Sequence, residues 1–113
     1  MFYTPLNKQS YAQNIYWVYG LVLKKKSNIS LNTIMKKLAK EGIETRNFFW
    51  PLHQQPILKK MGLFKKNRFP VAEYLSRNGF YLPTGLALTA YQQKFVISKI
   101  KKILSAQNKG KFI

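Results

Sequence analysis

The chain has 113 residues, enough for a single domain with a modest hydrophobic core. It contains no cysteine, one histidine and three carboxylates, which excludes disulfides and thiolate metal sites and argues against a self-contained metal centre. The net charge of +17 is typical of nucleic-acid binders, but lysine outnumbers arginine 17 to 3, a bias that AT-rich codons also produce.

No segment of the sequence is suited to crossing a membrane or to export. The longest apolar run covers residues 15–23 and is interrupted by Gly20, whereas a helix that crosses a bilayer needs about 20 residues. The first residues lack the basic and apolar regions of a signal peptide. We therefore expect a cytoplasmic chain that does not enter a membrane.

The first two segments of the chain differ in composition. Residues 1–14 are mixed and turn-rich, and we interpret them as a lead-in to the domain without a core of its own. The run IYWVYGLVL, residues 15–23, is rich in β-branched and aromatic residues and predicts a strand. Because this run is nearly all apolar, the strand is expected to be buried on both faces.

A helix and a second strand are predicted next. Ser30 is a suitable N-cap and Gly42 a suitable C-terminal stop. Between them, one helical face carries Leu31, Ile34, Met35 and Leu38. The segment IETR, residues 43–46, predicts a short strand. The first half is therefore predicted as strand, helix, strand, a connection that is normally a right-handed crossover.

The second half is predicted to be mainly helical. ILKKMG, residues 57–62, predicts one or two helical turns, and FYLP, residues 80–83, a brief extended piece. Between them, residues 69–79 predict a helix with Pro70 in its first turn and Gly79 as its stop. The apolar face of this helix comprises Val71, Ala72 and Leu75.

The last helix is predicted to open at a capping box formed by Thr89 and Gln92. Its apolar stripe comprises Val96, Ile97, Ile100, Ile103 and Leu104. Residues 105–113 are interpreted as a frayed basic tail. The lysines fall on the solvent faces of separate elements rather than in one stripe, so we expect no specific binding of nucleic acid.

The segment GIETRNFFWPLHQQP, residues 42–56, combines residue types that suit ligand binding. Pro51 and Pro56 stiffen the loop. Arg46 can bind a phosphate or carboxylate with two hydrogen bonds, His53 can donate to a sugar hydroxyl or phosphate oxygen, and Gln55 offers a donor and an acceptor. Equally, Arg46 can pair with its neighbour Glu44, His53 can satisfy a backbone carbonyl, and the three aromatics at 48–50 can serve packing.

Several ordered blocks of the chain resemble one enzyme family. NIYWVYGLVL, GIETRNFFWPLHQQP, FPVAEYLSRNGFYLPTGLALT and the final helix occur in the order seen in the C-terminal part of the DegT/StrS-type sugar aminotransferases, nearest to the GDP-perosamine synthase branch. The resemblance covers roughly residues 14–104. It implies an α/β fold, the small C-terminal domain of a fold-type-I transferase over residues 15–104.

The resemblance also implies a chemistry. Members of the family use pyridoxal phosphate to move an amino group from glutamate to a nucleotide-linked keto-sugar for polysaccharide such as O-antigen, and the full enzyme is expected to be a homodimer. Arg46, His53 and Gln55 would then line the sugar-nucleotide site. The lysine that holds the cofactor lies in the family's larger upstream domain.

This chain is not expected to catalyse the reaction alone. It has no aspartate to pair with the pyridinium nitrogen of the cofactor, and its lysines occur in clusters that are expected to be solvated. We therefore assign it no catalytic, cofactor-binding or metal-binding residue and interpret it as a C-terminal fragment or split part. The alternatives are a small basic nucleic-acid-binding module, which needs a continuous basic face beside exposed aromatics, and a remnant of a truncated gene.

Overall fold

Four short strands and four α-helices form the part of the chain that the computed structural model describes, residues 1–108. In chain order they are β1 (Phe2–Tyr3), β2 (Tyr19–Leu23), α1 (Leu31–Lys40), β3 (Arg46–Asn47), α2 (Pro56–Lys60), α3 (Pro70–Asn78), β4 (Gly79–Leu82) and α4 (Ala90–Asn108). A single 3-10 turn, Leu52–Gln54, precedes α2.

The strands form one sheet in the order β1-β2-β4-β3, and all neighbours are antiparallel. Because β2 and β3 both pair antiparallel with β4, they run in the same direction with β4 between them. The predicted strand–helix–strand unit is therefore present, but its two strands are not neighbours. The segment predicted only as a brief extended piece is the strand that joins them.

One face of the sheet carries the hydrophobic core. Leu21 and Leu23 of β2 and Phe80 of β4 point into it, and Phe80 is 0% exposed. Helices α1 and α4 cover this face with the buried side chains Leu31, Ile34, Leu38, Val96, Ile100 and Ile103. The predicted stripes on these two helices are confirmed, except that Ile97 is 50% exposed.

On the opposite face of the sheet, the ring of Phe48 packs closely against the strands. Phe48 donates its backbone N–H to the carbonyl of Gly79 (3.0 Å) and stacks on Tyr81 with ring centroids 4.6 Å apart. Its ring lies over Gly20 and Gly79, where an added Cβ would come within 2.8 Å and 2.4 Å of ring carbons, respectively. The two glycines therefore leave the space that the ring occupies.

The predicted strand over residues 15–23 is too long. Its pairing with β4 starts at Tyr19, and Ile15 and Trp17 are 87% and 75% exposed. Tyr16 has a positive φ of 51°, and its backbone N–H donates to the Asn14 side chain (2.7 Å), so the chain turns before the sheet begins. The second predicted strand, 43–46, is also displaced, since only Arg46 of that segment is paired.

The lead-in is more structured than predicted, and so is the C-terminal segment. Phe2 and Tyr3 pair with β2, and Phe2 packs against the core. Helix α4 continues through Asn108, so residues 105–108 of the predicted tail are helical. The rest of the predicted tail, 109–113, lies outside the described residues.

The predicted helix ends are confirmed. The Ser30 hydroxyl accepts from Thr33 N–H (3.2 Å), and Gly42 follows α1 with a φ of +74°. Gln92 N–H donates to the Thr89 hydroxyl (3.2 Å), and Thr89 N–H donates to the Gln92 side chain (2.9 Å), which completes the capping box.

Helix α3 has the predicted bounds but not the predicted orientation. Its expected core face is exposed, with Val71 at 70% and Leu75 at 38%. Glu73 and Tyr74 are turned inward instead, and the Tyr74 hydroxyl donates to the carbonyl of Leu23. The polar contacts of Glu73 and Tyr74 thus decide which side of this helix is turned inward.

Within residues 1–108, none of the helices combines the length and apolarity that a bilayer crossing requires.

Replacing Gly79 tests the close fit beneath Phe48. In Gly79→Ala the new Cβ would lie 2.4 Å from a Phe48 ring carbon and 2.5 Å from the carbonyl oxygen of Leu75. We expect a loss of about 1–3 kcal/mol in the free energy of unfolding, measured by urea denaturation, because either the ring or the helix end must shift. The matched control is Gly85→Ala, whose Cβ meets nothing within 4 Å and should change stability by less than about 0.5 kcal/mol. Equal effects of the two substitutions would contradict the close fit.

Candidate substrate-binding loop

The candidate loop, residues 46–56, runs from the edge of the sheet to the start of α2. Pro51 is buried and extended, and the 3-10 turn that follows it is closed by Gln54 N–H to Pro51 carbonyl and Gln55 N–H to Leu52 carbonyl (2.9 and 3.0 Å). Gln55 is also extended, as its position before Pro56 predicts. The two prolines thus fix the path of the backbone at both ends of the turn.

Trp50 and Gln55 close the loop on itself. The Trp50 indole N–H donates to the carbonyl of Gln54 (3.1 Å), and the Gln55 amide N–H donates to the carbonyl of Trp50 (3.2 Å). One of the two N–H donors of the Gln55 amide is therefore used within the loop, and the other remains for a ligand together with the side-chain oxygen.

His53 is turned inward, towards α3. Its Nε2 lies 3.1 Å from Oε1 of Glu73, its ring packs on Phe69 with centroids 4.8 Å apart, and its side chain is only 9% exposed. The partner is a carboxylate rather than the backbone carbonyl considered from sequence. In this position His53 holds the loop against the helix.

Glu73 is a residue of the candidate site that the sequence did not indicate as a ligand-binding candidate. Besides His53, it faces the backbone N–H of Phe69 (3.4 Å) and the guanidinium of Arg77 (3.6 Å). The hydrogen bond from His53, followed by that from Phe69, lowers the pKa of the Glu73 carboxyl below its ordinary value. One sequence signal was available, since Glu73 is the acidic residue in the first turn of α3.

Arg46 lies apart from this tether, on the edge strand β3. Its guanidinium is 81% exposed and lies 3.4 Å from the equally exposed Glu44 carboxylate. Such a surface pair is weak, so the guanidinium is accessible to a ligand. Among residues 1–108, no hydrogen bond or ion pair joins Arg46 to His53 or Gln55.

The three aromatics of the loop have different environments. Phe48 packs on the sheet, as predicted, whereas Phe49 and Trp50 are 74% and 59% exposed. Phe49 nevertheless contacts Tyr81, with ring centroids 5.9 Å apart, so it packs in part. The packing interpretation is not supported for Trp50, whose indole is bonded within the loop. The outward side of the loop presents one guanidinium and two aromatic rings, a combination that suits a phosphate together with a flat or sugar ring.

Comparison with known proteins identifies the family to which the chain belongs. The sequence pattern of the DegT/DnrJ/EryC1/StrS aminotransferase family matches residues 2–101. The chain therefore belongs to this family, which confirms the resemblance seen in the sequence.

Individual relatives agree with this assignment. GDP-perosamine synthase from Vibrio cholerae is 29% identical over 86 residues, which make up 76% of this chain and 23% of that protein. The aminotransferase TlmJ from Streptoalloteichus hindustanus superposes with a TM-score of 0.77 at 19% identity, over 93% of this chain and 26% of TlmJ. Spr1654 from Streptococcus pneumoniae, in its PLP-form, superposes with a TM-score of 0.76 at 23% identity, over 90% of this chain and 26% of Spr1654. The chain thus shares their fold and spans about a quarter of their length.

Replacing Glu73 tests the tether between the loop and α3. A carboxylate whose pKa is lowered in the folded state stabilises the fold above its ordinary pKa of 4.5, and this contribution is lost as the pH falls through the lower, folded-state value. We therefore expect Glu73→Gln to be less stable than the wild type at pH 7, with a difference that shrinks below pH 4.5.

Urea midpoints measured between pH 7 and pH 3 provide the readout. Glu44→Gln, which neutralises a carboxylate that is 79% exposed, is the matched control and should stay close to the wild type throughout. A gap between Glu73→Gln and the wild type that is independent of pH would show that the carboxylate charge does not hold the loop.

Proposed function

We propose that the chain is the C-terminal domain of a pyridoxal-phosphate-dependent aminotransferase that transfers an amino group from glutamate to a nucleotide-linked keto-sugar. The family match over residues 2–101 is the observation that carries this proposal. The similarity to GDP-perosamine synthase supports a GDP-linked sugar as the substrate and polysaccharide biosynthesis, such as that of O-antigen, as the role.

The residues of this chain do not fit the cofactor itself. Within residues 1–108 every lysine is exposed except Lys37 and Lys99, which are half-buried, and Lys99 is paired with Glu41. An amine that is to react with an aldehyde at neutral pH needs desolvation or a cationic neighbour rather than a carboxylate partner. The cofactor is accordingly assigned to the part of the enzyme that this chain does not span, and no group of three or more possible metal ligands occurs within residues 1–108.

The role proposed for this domain is to present the loop of residues 46–56 to the sugar nucleotide. Arg46 is accessible and would bind a phosphate or carboxylate oxygen, and the free oxygen of Gln55 would accept from a hydroxyl. His53 would act on the ligand mainly through the position of the loop, because its ring is engaged by Glu73 and Phe69. The complete enzyme is expected to work as a homodimer.

The cofactor assignment can be tested on the chain alone. Incubated with pyridoxal phosphate and then reduced with borohydride, the chain should show weak labelling scattered over many exposed lysines. Peptide mass spectrometry locates the labels. Stoichiometric labelling of one specific lysine would contradict the assignment of the cofactor to another part of the enzyme.

The loop can be tested once the remaining domain is supplied, by fusion to the large domain of a family member. Arg46→Ala should weaken the use of the sugar nucleotide roughly ten- to a hundredfold, the effect of losing a charged hydrogen bond of about 1.5–3 kcal/mol. His53→Ala should weaken it too, through loss of the loop's position. The half-reaction with glutamate should change little, since it needs no sugar nucleotide.

The cofactor spectrum follows the two half-reactions separately. Lys36→Ala, which removes an exposed charge on α1, is the control and should leave both half-reactions unchanged. If folded Arg46→Ala and His53→Ala enzymes use the sugar nucleotide like the wild type, the loop is not part of the substrate site.

A further inference from the structure

A groove of about 630 Å³ lies at the end of the sheet where β2 begins and β4 ends, beside the first turns of α4. Its lining is mostly apolar and, within residues 1–108, includes no lysine, arginine, histidine or carboxylate. In a chain whose net charge is +17, a surface of this size without charged side chains is unusual. The central part of a protein–protein interface is depleted of charge in the same way, so the groove has the composition of a surface that another protein body covers.

Large apolar side chains of the groove are open to solvent. Leu86 is fully exposed, and Ile15, Trp17 and Ile97 are 87%, 75% and 50% exposed. Ile97 belongs to the apolar stripe of α4, yet the core does not cover it. Single exposed apolar residues are ordinary on a protein surface, whereas several that share one concave lining indicate an interaction site.

The backbone holds these side chains in their exposed positions. Tyr16 takes a positive φ of 51°, which is unfavourable for a bulky residue, and its ring stacks on Tyr19 with centroids 5.7 Å apart. The hydroxyl of Thr84, which also lines the groove, donates to the carbonyl of Trp17 (3.2 Å). The turn that presents Ile15 and Trp17 is thus fixed by the domain itself, so less ordering is needed when a partner binds.

The charge of the chain and the length of its relatives distinguish the possible occupants of the groove. Contact between two copies would bring together two bodies that each carry a net charge of +17, and this repulsion opposes self-association. The chain spans only about a quarter of the length of the aminotransferases whose fold it shares. The remaining part of such an enzyme is a second body, and it is large enough to cover the groove.

The register of the sheet places the groove close to Arg46. Arg46 pairs with Tyr81, and the next residue of β4, Leu82, lines the groove opposite Tyr19. The groove therefore begins one residue along β4 from the position of Arg46, whose exposed guanidinium is the group proposed to bind the sugar nucleotide. A body seated in the groove would have its edge near this guanidinium.

We propose that the groove is the docking surface for the larger remainder of the same aminotransferase, the part that this chain does not span. Trp17 and Leu86 pack into an apolar surface of that body. Docking places Arg46 at the margin of the contact, where it reaches a ligand held between the two bodies. The proposal rests on the assignment of the chain as one domain of such an enzyme, and it adds which surface of the domain forms the contact.

Hydroxyl-radical footprinting locates the covered surface. The isolated chain and its fusion to the large domain of a family member are oxidised under the same conditions, and peptide mass spectrometry quantifies the modified residues. We expect oxidation of Trp17 and Leu86 to fall about fivefold or more in the fusion, because the centre of an interface excludes water. Val71, which is 70% exposed on α3 and lies outside the groove, should change by less than about twofold.

Matched substitutions test whether the groove contributes to docking. The urea concentration at which Trp17 regains full oxidation in the fusion measures the strength of docking. Leu86→Gln should lower this concentration and leave the urea midpoint of the isolated chain unchanged, because Leu86 is fully exposed there. Val71→Gln removes an exposed apolar side chain from outside the groove and should change neither value.

Activity measured on the same fusion separates this inference from the proposed function. Protection of Trp17 and Leu86 without amination of a nucleotide-linked keto-sugar would support the docking surface and contradict the proposed function. Amination while both residues stay as accessible as in the isolated chain, or equal effects of Leu86→Gln and Val71→Gln, would overturn the docking surface. So would a dimer of the isolated chain in sedimentation that shields Trp17, because the groove would then join two copies.

Discussion

The pairing of β4 with strands on both of its sides is the constraint on which the rest of the structure depends. Its four residues, Gly79–Leu82, pair with β2 on one side, and two of them, Phe80 and Tyr81, pair with β3 on the other. Phe80 fills the centre of the core beneath α1 and α4, while Gly79 on the other face leaves room for Phe48. Because α3 runs directly into β4, the position of this strand also fixes where α3 lies.

That position connects the sheet to the candidate loop. Helix α3 carries Glu73, which holds His53 and so sets the loop against the helix. The loop's inner groups are satisfied by the protein itself, through the indole of Trp50, the amide of Gln55 and the imidazole of His53. Its outer side is left to Arg46 and the exposed aromatics. A loop built in this way presents a charged group without needing a ligand to order it.

The features that were predictable from the sequence are those set by neighbouring residues. The caps at Ser30 and Thr89, the stop at Gly42 and the buried stripes of α1 and α4 depend on contacts within one or two helical turns. The tether could not be predicted in this way, because His53 and Glu73 are 20 residues apart. The orientation of α3 was predicted wrongly because the partners of Glu73 and Tyr74 are also distant in the sequence.

In α3 the apolar pattern and the polar anchors point to opposite sides. Val71 and Leu75 favour one face as the buried one, but Glu73 and Tyr74 bind partners brought near by the tertiary fold. The central place of β4 was equally hidden, since a four-residue strand that begins with glycine has a weak pattern of its own. The three candidate site residues occur in one loop, as the sequence indicates, yet of these only Arg46 is fully exposed. His53 is buried because it packs against α3, which follows the loop in the chain.

The two ends of the sheet limit how this domain can associate with other chains. The two edge strands, β1 and β3, have only two residues each, and β3 begins with the charged Arg46. Edges this short offer few unpaired backbone groups to an added strand, which protects a sheet from growing by edge-to-edge aggregation. Any larger assembly that includes this domain is therefore expected to form through its side-chain surfaces rather than by continuation of the sheet.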